Sequence, residues 1–140
     1  MSAATVPRVL TMVICDEALL CEIESEIHTL ENVRIGVDAE SFPYLRRMDL
    51  YLVLSHYHPG EFEGTIYLVR ESSGMKTPLT NFPVEFTQEK PRQALYVHVG
   101  VCRFPACGGY RFEVWFVDED FEELQKGERR LEIYSPEVET

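Results

Sequence analysis

The stretch Phe104-Pro105-Ala106-Cys107-Gly108-Gly109-Tyr110-Arg111-Phe112-Glu113-Val114-Trp115-Phe116-Val117-Asp118 restricts the fold more than any other part of the chain. Pro105 and two glycines make a corner, and the residues after it alternate large apolar side chains with other types, the period of a strand. The spacing Gly109-Tyr110-x-Phe112-x-Val114 matches a tyrosine corner. There a Tyr near the start of strand F, at the E–F corner of a sandwich, returns a hydrogen bond to backbone just upstream. Antibody domains place a Cys two residues after that Tyr. Phe112 holds the position here, so no inter-sheet disulfide is implied.

The remaining pattern agrees with this corner. Val9 to Ile14 is a β-branched apolar run, expected as strand A. Leu19, Leu20, Ile23 and Ile27 fit either a short helical turn or a loop, and strand B is expected over about Ile27 to Val37. Asp38 to Tyr44 reads as a loop, with Pro43 holding Phe42 extended. Met48 to Tyr57 alternates, with Leu50, Leu52 and Leu54 on one face and Tyr51, Val53, Ser55 and Tyr57 on the other. Gly64 to Glu71 returns as its hairpin partner, and Leu79 to Thr87 carries Pro83, which marks an edge strand. In Ala94 to Phe104, alternation places Leu95, Val97, Val99 and Val101 on one side and Tyr96, His98, Gly100 and Cys102 on the other. Arg129 to Tyr134 is the last strand. Eight short strands separated by turn signals predict one all-β domain, an Ig-like antiparallel β-sandwich of about seven or eight strands. Its core runs over about residues 8–134, with tails at 1–7 and 135–140.

The order of these motifs resembles a bacterial family of small Ig-like β-sandwich proteins of unknown function. The resemblance covers roughly Arg8 to Ile133, and Phe104-Pro105-x-x-Gly108-x-Tyr110-x-Phe112 is its most specific piece. Members usually carry Gly-Lys-Leu where this chain has Glu24-Ser25-Glu26-Ile27. They usually have Asp-Gly after strand F, where Asp118-Glu119-Asp120 stands here, which implies a longer loop. The resemblance implies a fold and no activity.

Charge narrows the partners. The net charge of −11, from 24 acids against 13 bases, disfavours nucleic acid and anionic membrane surfaces, which need clustered Lys and Arg. No apolar run approaches the ~20 residues that span a bilayer, and no secretory signal is visible, so a cytoplasmic location is expected. No Gly-x-Ser-x-Gly elbow, phosphate loop or His-Glu-x-x-His occurs, and no enzyme is expected. Trp115 and the strand aromatics read as core.

The expected function is a protein-interaction module, binding a partner or a second copy through loops or an edge strand. On the strand lettering above, the B–C loop offers Phe42, Tyr44, Leu45 and Arg46, and the F–G loop offers Asp118, Asp120, Phe121, Glu122 and Glu123. These two loops, Phe42–Leu45 and Asp118–Glu128, would share one end of the sandwich as an apolar patch rimmed by acid. The alternative is a zinc protein. The A–B, C–C′ and E–F connections would gather Cys15, Cys21, His56, His58, Cys102 and Cys107 at the other end, and zinc takes Cys and neutral His in tetrahedral sets. Calcium on Asp118, Asp120, Glu122 and Glu123 is a weaker alternative, because the Gly of a tight calcium loop is missing.

Overall fold

Tyr110, Phe112, Val114 and Phe116 alternate into the interior, each no more than 1% exposed, and face Leu50, Leu52 and Leu54, each at 0%. Those two strands lie in different sheets, and their apolar faces form the centre of a sandwich. The computed structural model describes residues 6–20, 28–33, 36–118 and 120–135. Among them it contains nine strands: β1 (Arg8–Leu20), β2 (His28–Val33), β3 (Gly36–Asp38), β4 (Tyr44–Ser55), β5 (Gly60–Arg70), β6 (Lys76–Phe86), β7 (Arg92–Phe104), β8 (Gly108–Val117) and β9 (Glu123–Tyr134). No helix long and apolar enough to cross a membrane occurs among the described residues.

The four-stranded sheet has the order β2-β1-β4-β7 and the five-stranded sheet β3-β9-β8-β5-β6. In Ig lettering β1-β4-β7 are A-B-E and β9-β8-β5-β6 are G-F-C-C′, with β2 added beside β1 and β3 pairing parallel to the last strand. All other strand pairs are antiparallel. The chain is therefore an all-β, Ig-like sandwich. The sheets approach closely at one margin, where a side chain on Gly127 would press on Val9 at 3.1 Å.

This lettering moves the strands expected between A and E by one place. The stretch expected as strand B is two strands, β2 and β3, that belong to different sheets. Met48 to Tyr57, expected as strand C, belongs to β4 and is strand B. The leucine alternation is as expected. So is the edge position of β6, which carries Pro78 and Pro83. The possible helical turn from Ala18 lies partly in β1, which runs to Leu20, and partly outside the described residues.

One expected alternation fails halfway along β7. Val97 and Val99 are buried, but Val101 is 55% exposed and Cys102 is at 0%. The register against β4 shifts between Met48 and Asp49, opposite His98 and Gly100, and Gly100 has φ +77°. A bulge inserts one unpaired residue, and one residue reverses every later side chain. Glycine supplies the positive φ at no steric penalty. His98 and Cys102 therefore stand on opposite faces.

The corner is closed as the sequence predicts. The Tyr110 hydroxyl donates to the Ala106 carbonyl at 2.7 Å and accepts the Ala106 N–H at 3.4 Å. The buried Tyr110 ring packs on Phe104 at 4.9 Å between centroids, tilted 73°.

Candidate functional site

The strand shift separates residues that the sequence reading places together. Tyr44 opens β4 opposite Phe104, so the Phe42–Leu45 segment lies at the E–F end of the sandwich. Gly64 pairs with Phe116, so residues 118–122 lie at the other end, beside the β4–β5 connection. The 12 residues of β4 separate them by roughly 35–40 Å at about 3.3 Å per residue. No single surface contains both.

Each segment is also engaged locally. Phe42, which precedes Pro43 through a cis peptide, and Tyr44 are half-buried and pack against the core. Leu45 alone stands out, at 59% exposure. Arg46 binds the Asp16 carboxylate at 2.9 and 3.0 Å and donates to the Tyr44 hydroxyl at 2.8 Å. In the other segment, Asp118 Oδ1 accepts the backbone N–H groups of Asp120 and Glu122, both at 2.9 Å. Phe121 takes φ 62° and is 89% exposed. The loop is five residues, longer than a tight turn, and Glu123 to Glu128 belong to β9. Glu123 accepts the Tyr67 hydroxyl at 3.0 Å, so Asp118 and Glu123 are occupied within the chain and the expected calcium set is not assembled.

The expected zinc cluster does not form either. Cys102 pairs with Arg46 near the start of β4, Cys15 pairs with Asp49 at its middle, and His56 follows its last residue. The bulge turns Cys102 into the core, and burial pushes its thiol pKa up to about 12, which removes the thiolate that a metal needs. Cys15 is also buried, and its thiol donates to the Asp49 carbonyl at 3.7 Å. Cys107 is exposed in the E–F corner, His58 is exposed beside His56, and Cys21 lies outside the described residues. Among the described residues no three His, Cys, Asp or Glu side chains are grouped to hold a metal.

His56 is buried instead, at 8% exposure, edge-on to Phe62 at 4.7 Å and near Phe86 at 5.8 Å. Its Nδ1 is buried without a partner. Burial, and then the neighbouring His58, lower its pKa below the ordinary histidine value. The unfolded chain therefore takes up this proton first as pH falls below about 6.5. Stability linked to His56 is complete above that pH and is lost as pH falls through the folded value. Thermal melts at about pH 7.5 and pH 5 should show a smaller downward shift for His56→Phe than for the parent chain.

The outer face of the five-stranded sheet carries a feature that the sequence reading assigns to the core. Trp115 points away from the interior and is only half-buried. The Lys76 ammonium lies 3.5 Å from the Trp115 ring centroid and 4.2 Å from that of Tyr67. The Trp115 Nε1–H donates to Glu113 at 2.9 Å, and Glu113, 4% exposed, is also held by Arg111 at 3.2 Å. The signal was present in strand parity: if Tyr110, Phe112, Val114 and Phe116 face in, then Arg111, Glu113 and Trp115 face out. Lys76→Ala should cost about 0.5–1 kcal/mol, the value of an exposed cation–π contact. It should also change the fluorescence of Trp115, the chain's one tryptophan.

The outer face of the four-stranded sheet is different. The register sets Arg8, Ser55 and Arg92 side by side across β1, β4 and β7. Farther along, Arg47 pairs with Val101, and Leu45 pairs with Arg103. Arg8, Arg47, Arg92 and Arg103 are exposed, with no ion pair to a carboxylate among the described residues. A cleft of about 300 Å³ opens at the Arg8–Arg92 end, lined also by Leu10, Ser55, Tyr57 and Pro91. Leu10 is 43% and Tyr57 is 76% exposed.

No family model and no curated protein matches the chain. Solved structures do align with it. An immunoglobulin-like protein from Pseudomonas aeruginosa is 14% identical, with a TM-score of 0.43 over 95% of this chain and 100% of the other. The soluble domain of PmoD from Methylocystis is 7% identical, with a TM-score of 0.32 over 91% and 97%. A β-glucosidase from Listeria innocua is 10% identical, with a TM-score of 0.43 over 71% of this chain and 14% of its own length.

Proposed function

We propose that the chain is a non-catalytic protein-interaction module that takes its partner by strand addition at the free edge of β7. The edge itself supports this reading. Among the described residues β7 ends the four-stranded sheet and pairs only with β4, and it has no proline from Arg92 to Phe104. A long edge of unpaired N–H and C=O groups is a template for another strand, and proteins usually blunt such edges with proline or inward charge. β6, which ends the other sheet, is blunted by Pro78 and Pro83. On β7 the run from Arg92 to His98 is free of proline and of bulges, and the exposed Val101 and Leu45 lie beyond the Gly100 bulge on the same sheet.

Amide hydrogen exchange tests the proposal. In the isolated chain, alternate amides of Arg92 to His98 should exchange quickly, because they point away from β4. A bound partner should slow those same amides. Slow exchange at every β7 amide in the isolated monomer, or a partner footprint confined to other strands, would overturn it.

A further inference from the structure

The chemistry of the partner can be read from the same edge, and the following rests on the strand-addition proposal. Residues 90 to 112 contain no Asp or Glu, in a chain whose net charge is −11. The same stretch holds Lys90, Arg92, His98, Arg103 and Arg111. Four of these border or belong to β7, and the register adds Arg8 and Arg47 on the adjoining strands. Two are committed: His98 Nδ1 lies 2.9 Å from the Asp49 carboxylate on β4, and Arg111 is held by Glu71 and Glu113 on the other sheet. Four exposed arginines, Arg8, Arg47, Arg92 and Arg103, therefore share the four-stranded sheet without an ion pair among the described residues.

We infer that β7 accepts an extended acidic segment of a partner protein, which pairs along Arg92–His98 and sets a carboxylate into the Arg8–Arg92 cleft. The regular run ends at the Gly100 bulge, which limits the added strand to about five to seven residues, or roughly 17–23 Å. Guanidinium groups on both sides of Ser55 suit a carboxylate, with charge-assisted bonds stronger than neutral ones. Leu10 and Tyr57 at the rim offer apolar contact to the residue beside it. A second copy of this chain fits less well. Antiparallel pairing of two β7 edges would bring Lys90, Arg92 and Arg103 of each copy onto an edge that has no carboxylate to receive them. Like charges set against one another disfavour that pairing.

Four blocked, dye-labelled seven-residue peptides provide the test: valine alternating with glutamate, with lysine or with threonine, and the glutamate peptide with a central proline. Fluorescence anisotropy should show saturable binding of the glutamate peptide, weakened by salt, and binding about tenfold or more weaker for the lysine peptide. The proline version should lose binding, because it cannot donate along the edge. Arg8→Glu with Arg92→Glu should weaken the glutamate peptide about tenfold or more without moving the melting temperature, since both side chains are exposed. Equal binding of the threonine and glutamate peptides, both lost with proline, would overturn the acidic preference and leave strand addition standing. Binding that tolerates proline and does not slow β7 exchange would overturn strand addition itself. Failure of all four peptides at millimolar concentration, or self-association that protects β7, would overturn both.

Discussion

Tyr110→Ala is expected to lower unfolding stability by about 3–5 kcal/mol, the usual range for removing a buried aromatic side chain. Tyr110→Phe separates the two contributions. It keeps the ring against Phe104 and removes only the hydroxyl, which donates to the Ala106 carbonyl at 2.7 Å. Both the N–H and the C=O of Ala106 then lose their partner. An expected loss of about 1–3 kcal/mol follows, because an unmatched polar group in a partly buried corner is penalised more than an average hydrogen bond contributes. Urea denaturation measures both variants, and an unchanged slope would place the effect in the folded state. A Tyr110→Phe value near zero would mean that the corner holds by packing alone.

Gly64→Ala is expected to cost about 1–3 kcal/mol through overpacking. A β-carbon at this position would sit 3.0 Å from Phe116 Cε1 and closer still to the ring of Phe82. Those two rings meet edge to face at 5.9 Å, and both are at least 95% buried, so neither can swing aside without moving the other. Replacing a flexible glycine in a strand normally gains about 0.4–1 kcal/mol from the unfolded chain. The clash is the larger quantity, so the net sign is destabilising. The midpoint of chemical denaturation should fall, and a rise would show that the Phe82 ring has room the structure does not give it.

Sequence alone carried the sandwich because its strongest signals are local. The Tyr110 corner, the Leu50-Leu52-Leu54 face and the proline-marked edge each depend on residues within a few positions of one another. What it did not carry was assignment of strands to sheets. Ile27 to Val37 reads as one strand, yet β2 joins β1 while β3 crosses to β9, a choice made by long-range pairing. That one misplacement shifts the strand letters between A and E and puts the Phe42–Leu45 and Asp118–Glu128 loops at a common end, and the Cys and His side chains at another. Trp115 reads as core from its place among strand-spaced aromatics, yet its parity with Arg111 and Glu113 points it outward. The open β7 edge is a property of the assembled sheet, visible only once its neighbours are known.

The bulge between His98 and Gly100 also governs which thiols of the chain are reachable. By reversing the sidedness of the last part of β7, it encloses the sulfur of Cys102 and leaves a valine facing solvent in its stead. Cys15 is enclosed as well, so among the described residues Cys107 is the thiol that an oxidant or alkylating reagent meets first.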